Sequence, residues 1–132
     1  MPGQSELVVI APGNEASEEE DVAAGQGQLP RLLAAGITAV FCYNDMVAVG
    51  VLIACKQRGI AVPGDLSVIG FDDIRIASYV SPALTTIHQP KVELGHLATE
   101  VMLDLLNNRP ATNHVLQPTL ITRVSAAPLT HR

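Results

Sequence analysis

Short apolar runs alternate with helix-length segments along this chain, and that alternation limits the folds open to it. Glu6–Ala11 (ELVVIA), Thr38–Tyr43 (TAVFCY) and Leu66–Phe71 (LSVIGF) are continuously apolar in their centres rather than alternating in polarity. Continuous runs are the mark of strands buried on both faces, as in parallel sheets. The first run is closed by Pro12-Gly13-Asn14, a turn signal. An acidic stretch, Asn14–Asp21, then reads as a solvated loop and a first helical turn, where carboxylates favour the positive end of the helix dipole. That helix is expected to run to Ala35 and stop at Gly36, with Pro30 weakening its middle.

The remaining elements follow the same alternation. Met46–Arg58 reads as a helix capped by Asn44 or Asp45, whose side chains can accept an orphan N–H, and stopped at Gly59. It is apolar almost all round, so it should be packed on two sides. Ile74–Val80 reads as a short helix or turn and Leu84–Ile87 as a short strand. Pro90–Asn107 is a long helix, with Val92, Leu94, Leu97, Ala98, Val101, Met102, Leu105 and Leu106 forming a wide apolar stripe. Val115–Arg123, broken by Pro118, reads as an edge strand. Strands alternating with helices indicate parallel βαβ units. The expected fold class is therefore α/β: a doubly wound, mostly parallel sheet with helices on both faces. At 132 residues it is one domain by length.

Charge and composition remove several functions. Eight Lys and Arg stand against 13 Asp and Glu, a net charge of −5. Nucleic acid needs a clustered basic surface and rings for stacking, and aromatic residues make up only 3% here. The chain is not expected to bind DNA or RNA by itself. No apolar run reaches the roughly 20 residues needed to span a bilayer, so no membrane partner is expected. Met1–Glu6 lacks the basic-then-apolar pattern of a signal peptide. Cys42 and Cys55 both lie in apolar runs and read as buried reduced thiols, which fits the cytoplasm.

In open parallel sheets, ligands bind at the carboxyl ends of the strands. Two such ends carry polar residues here: Asn44 and Asp45 after the second run, and Asp72 and Asp73 after the third. Carboxylates and an amide at one sheet edge can hydrogen-bond hydroxyls or ring nitrogens of a small polar ligand. Each can instead cap a helix. Signals for enzymes are weak: there is no phosphate loop, nucleophile elbow or Cys/His pair at useful spacing. Gly25-Gln26-Gly27 does not follow a strand, the histidines are scattered, and no metal site or cofactor is expected.

Four segments resemble, in order and spacing, the effector-binding region of the lactose/galactose repressor family of bacterial transcription regulators. They are Thr38–Gly50 (TAVFCYNDMVAVG), Val62–Asp73 (VPGDLSVIGFDD), Pro82–Pro90 (PALTTIHQP) and Leu120–Ser125 (LITRVS). The resemblance is strong over 34–125 and looser over 5–33. It implies a periplasmic-binding-protein-like fold with two α/β subdomains and an effector in the cleft between them. Residues 1–132 then match mainly the second, C-terminal subdomain of an effector-binding and dimerisation domain. Residues 84–89 match a crossover, 90–108 a helix of the first subdomain, and 114–125 a return strand. The DNA-binding headpiece, a helix-turn-helix, matches nothing in this sequence.

The resemblance implies a sugar-like effector held by Asn44 and Asp72, with Asp45 at a motif position of more structural character. It also implies a homodimer surface at Val49, Leu52, Ile53, Lys56, Tyr79 and Val80. The family usually places an aromatic ring about five residues before the glycine matching Gly25; Glu20 stands there, so no stacking ring carries over. The expected function is ligand sensing and dimerisation in a cytoplasmic transcription regulator that reaches DNA only through its headpiece. The alternative is a sugar-binding or other solute-binding protein of a transporter. The stripe of the 90–108 helix is expected to pack in a non-native way or against another chain, in the extreme as a swapped dimer.

Overall fold

The computed structural model describes residues 17–128. The strand expected at Glu6–Ala11 lies outside the described residues. The chain enters at α1 (Glu18–Ala34), whose start is set by a reciprocal cap. The Ser17 hydroxyl accepts from the Glu20 N–H at 3.3 Å, and the Glu20 carboxylate accepts from the Ser17 N–H at 2.8 Å. Two of the donors left over at a helix start are thereby satisfied. Contrary to the expectation of a weakened middle, α1 runs unbroken through Pro30. Leu29 and Leu32, on either side of it, are fully buried, and packing of that kind outweighs local propensity.

Then follow β1 (Ala39–Phe41), α2 (Asp45–Gln57), β2 (Ser67–Asp72), a 3-10 turn at Arg75–Ser78, β3 (Thr85–His88), α3 (Lys91–Leu106) and β4 (Thr119–Ile121). The sheet order is β1-β2-β3-β4. The first two pairings are parallel, with Val40 opposite Val68 and Ile69 opposite Thr85. The last is antiparallel, with Ile87 opposite Leu120. The chain is thus α/β with a mostly parallel sheet, and β4 is an edge strand as expected, but it is confined to Thr119–Ile121 rather than Val115–Arg123 and begins only after Pro118.

Successive strand residues point to opposite faces. Val40, Val68 and Gly70 face α2, and with Val47, Val51, Cys55, Leu66 and Leu84 they build the core. On the other face Phe41 and Phe71 meet edge to face, their centroids 6.3 Å apart, and Phe41 is 59% exposed. The all-round apolarity of α2 is explained by its two neighbours, the sheet on one side and α1 on the other. Gly25 and Gly50 allow that closeness: a Cβ on either would fall on a carbonyl oxygen of the facing helix.

After β4 the chain pins the amino ends of β2 and β3 together. The buried Ser125 hydroxyl donates to the Val68 carbonyl at 2.6 Å and accepts from the Thr85 N–H at 2.8 Å. By contrast α3 buries none of its residues. Val92 is 78% and Leu106 73% exposed; Leu97 and Val101 are half-buried, and the rest of the long apolar stripe finds no cover among the described residues. No helix among them is long and apolar enough to cross a membrane.

Candidate functional site

Because β1, β2 and β3 run parallel, their carboxyl ends open on one edge of the sheet. That edge gathers Asn44 and Asp45 from β1, Asp72 and Asp73 from β2, and His88 and Gln89 from β3. The three strands therefore do assemble the polar cluster that the two sequence motifs suggested. The individual roles differ.

Asn44 is the N-cap of α2, accepting from the Val47 N–H at 2.8 Å through its side-chain oxygen. Its amide nitrogen donates to an Asp21 carboxylate oxygen at 2.7 Å. Asp21, expected in a solvated turn, is only 8% exposed. Its other oxygen has no hydrogen-bond partner among the described residues.

Asp45, a candidate ligand contact on sequence grounds, requires correction. It is 0% exposed. One carboxylate oxygen accepts from the Thr86 hydroxyl at 2.5 Å and the other from the Ile74 N–H at 2.9 Å. Burial, with smaller contributions from the nearby Asp72 and Asp73 charges, holds its carboxyl above the ordinary value against those two hydrogen bonds. A group with no exposed surface and both oxygens engaged does not reach a ligand.

Asp72 and Asp73 carry the strand end into a turn with positive φ at both, 108° and 50°. Non-glycine residues rarely adopt that region, and it clusters at functional sites. Asp72 stays partly exposed. One of its oxygens accepts from the Gln89 amide at 2.6 Å and lies 3.5 Å from the Lys91 ammonium. Asp73 turns the other way, pairing with Arg123 at 2.7 Å and His88 Nδ1 at 3.1 Å. Burial opposes its ionisation, but Arg123 and His88 together outweigh that and hold its carboxyl below the ordinary value. Arg123 also donates to the Leu84 carbonyl at 2.8 Å.

A cavity of about 820 Å³ opens between this turn and the first turns of α3, lined by Asp72, Arg75, His88, Gln89, Lys91 and His96 among others. It is large enough for a small polar ligand. Asp72 lines it and Asn44 does not. Gln89 and Lys91 were missed in the sequence, because only the fold brings the start of α3 onto Asp72. Thr86 and Arg123 lie within the sequence motifs, but nothing in those motifs gives them a role at the site. The His88 to Asp73 contact has no sequence signal beyond the parallel pairing itself.

The surface expected to dimerise is only partly available. Val49 and Leu52 are each 5% exposed, packed inward because α2 is sandwiched. Ile53 at 36% and Tyr79 at 73% remain at the surface with Lys56. Cys42 and Cys55 are buried free thiols. Burial above all, with the Asp45 charge adding to it, pushes the Cys42 thiol up to about 12, which leaves it no nucleophile near neutral pH.

A mostly parallel sheet with a polar carboxyl edge and a ligand-sized cavity beside it is the layout in which α/β proteins place ligand sites. The sequence pattern of the family described as "Periplasmic binding protein-like domain" matches residues 3–126, and the chain belongs to that family. It is 50% identical over 91 residues to the ribose operon repressor of Haemophilus influenzae, covering 67% of this chain and 27% of that protein. It is 48% identical over 92 residues to the HTH-type transcriptional repressor PurR of Pectobacterium atrosepticum, covering 68% and 27%. A LacI family transcriptional regulator from Enterococcus faecium, solved with bound ribose, superposes with a TM-score of 0.76 at 33% identity, covering 83% of this chain and 41% of that one. The chain thus spans about a quarter of the length of these curated relatives.

Proposed function

We propose that this chain is the ligand-sensing and dimerising part of a cytoplasmic bacterial transcription regulator, and that it takes up a small sugar-like effector. The observation that carries the reading is Asp72, a partly exposed carboxylate held in a left-handed turn at the sheet edge and lining the cavity beside α3. Such a group accepts hydrogen bonds from vicinal hydroxyls. Gln89 and Lys91 supply donors at its flank. Similarity to repressors at 50% and 48% identity favours a regulator over a transporter's binding protein, and no catalytic step is assigned.

On this reading residues 84–89 are a crossover, 90–108 the helix of a first subdomain, and 114–125 a return strand. The effector bridges the two subdomains and shifts the population between open and closed forms. Operator DNA is contacted only by a headpiece elsewhere in the regulator. A second copy docks on the exposed Ile53, Lys56 and Tyr79, with Val80 at the margin, while Val49 and Leu52 support that surface from beneath.

Calorimetric titration of the complete gene product with pentoses, hexoses and purine bases tests the proposal. Saturable binding of one of them, weakened at least tenfold by Asp72→Ala (about 1.4 kcal/mol), is the expected result. Undiminished affinity in Asp72→Ala would remove Asp72 from the site.

A further inference from the structure

Two consecutive non-glycine residues at positive φ, Asp72 at 108° and Asp73 at 50°, persist only where the surroundings over-determine the backbone. Arg123, His88 and Gln89 hold the two side chains, and one buried side chain holds the backbone from within. The Asp45 carboxylate, at the start of α2, accepts from the N–H of Ile74, the residue that follows the turn, at 2.9 Å. Its second oxygen accepts from the Thr86 hydroxyl at 2.5 Å. The same Thr86 oxygen accepts from the Asp73 N–H at 3.4 Å. The turn is therefore tied to one buried carboxylate both directly and through a neighbouring strand.

The space for this clasp is set by Gly70, two residues before the turn. A Cβ there would fall on an Asp45 carboxylate oxygen. Asp45, Thr86 and Gly70 do not line the cavity, whereas the turn residues they hold, Asp73 and Ile74, do.

We infer that Asp45 is a positioning residue: it holds the Asp72–Asp73 turn in its left-handed form and thereby aims the Asp72 carboxylate into the cavity. The inference rests on the effector site proposed above. It assigns to a fully buried residue a share in ligand affinity that its lack of exposure would deny it.

Two variants test it. Asp45→Asn keeps the shape but removes the charge and one of the two acceptors, so the bonds from the Ile74 N–H and the Thr86 hydroxyl cannot both be kept as they stand. Thr86→Val removes the shared hydroxyl with little change in volume and serves if Asp45→Asn does not fold. In the complete gene product, D-ribose affinity is measured by calorimetry. The Cα and Cβ chemical shifts of Asp72 and Asp73, which respond to the sign of φ, are measured by NMR.

Losing a hydrogen bond to a charged group is expected to weaken D-ribose binding roughly 10- to 100-fold. The shifts of Asp72 and Asp73 should leave their left-handed values, while those of β1 and β2 before Gly70 stay in place. A merely structural Asp45 would lower the melting temperature and leave the turn's shifts unchanged; that result overturns the inference, as does a moved turn with undiminished affinity. If the unaltered protein does not take up D-ribose, the ribose form of the effector reading fails. The shifts then decide this inference alone, and unchanged shifts overturn it.

Discussion

Gly25 of α1 and Gly50 of α2 occupy reciprocal positions at the closest approach of the two helices. A Cβ on Gly25 would strike the Val47 carbonyl, and one on Gly50 the Val22 carbonyl. Backbone atoms cannot swing aside as a flexible side chain can. Gly25→Ala and Gly50→Ala are each expected to destabilise the domain by about 1–3 kcal/mol or more, the range for overpacking. Gly27, also within α1, would meet nothing within 4 Å. Gly27→Ala should be neutral or stabilise by roughly 0.5–1 kcal/mol through helix propensity. Urea unfolding of the three variants checks the contrast; equal losses at all three sites would refute it.

Asn44 joins two helix starts, capping α2 with its oxygen and donating its amide to Asp21 of α1. Asn44→Ala removes a cap worth about 1 kcal/mol. It also strands a buried carboxylate at a further cost of about 1–3 kcal/mol. Adding Asp21→Ala removes the stranded group, so the double variant should be more stable than the sum of the single losses. A double-mutant cycle measures this, and additivity within roughly 0.3–0.5 kcal/mol would show that the two residues are not coupled.

How far the site could be read from sequence is clearest at Asn44, Asp45, Asp72 and Asp73. The strand-then-polar pattern located all four at one sheet edge, because parallel strands place their carboxyl ends together. It could not distinguish them, since neighbours in sequence point apart and burial is decided by what packs above. Asp45 is covered because α2 packs against β2, where the missing Cβ of Gly70 leaves room for its carboxylate. The same sandwiching buries Val49 and Leu52, which looked like surface from the family pattern alone. Gln89, Lys91 and Arg123 come to the site from 17 to 50 residues away in the chain, a separation that no local periodicity reports. Pro30 misled in the opposite sense, because the burial of Leu29 and Leu32 is invisible to local rules.

The Asp73–Arg123 pair makes a signed prediction about pH. The Asp73 carboxyl lies below its ordinary value of 3.8 in the fold. A lowered carboxyl contributes stability that is complete above the unfolded value and is lost as pH falls through the folded one. Arg123→Met removes the partner that lowers it and also a hydrogen bond to the Leu84 carbonyl. At neutral pH the variant should be less stable by roughly 1–2 kcal/mol. The gap should narrow below pH 3.8 as Asp73 becomes protonated in both proteins. Denaturant titrations at a series of pH values measure the gap, and one that widened on acidification would contradict the pairing.

The apolar face of α3 is largely exposed. Along α3, Val92, Leu94, Met102, Leu103, Leu105 and Leu106 are each more than half exposed. Covering a side chain of this size is worth about 1.5–3 kcal/mol, so several together exceed the cost of ordering a contact surface. Expressed as these 132 residues alone, the chain should self-associate through α3, with mass rising with concentration in light scattering. Replacing Met102 and Leu106 with glutamate should return it toward a monomer without lowering its melting temperature, since neither residue is buried within the chain. A monomer at all concentrations before substitution would mean that the stripe does not drive association.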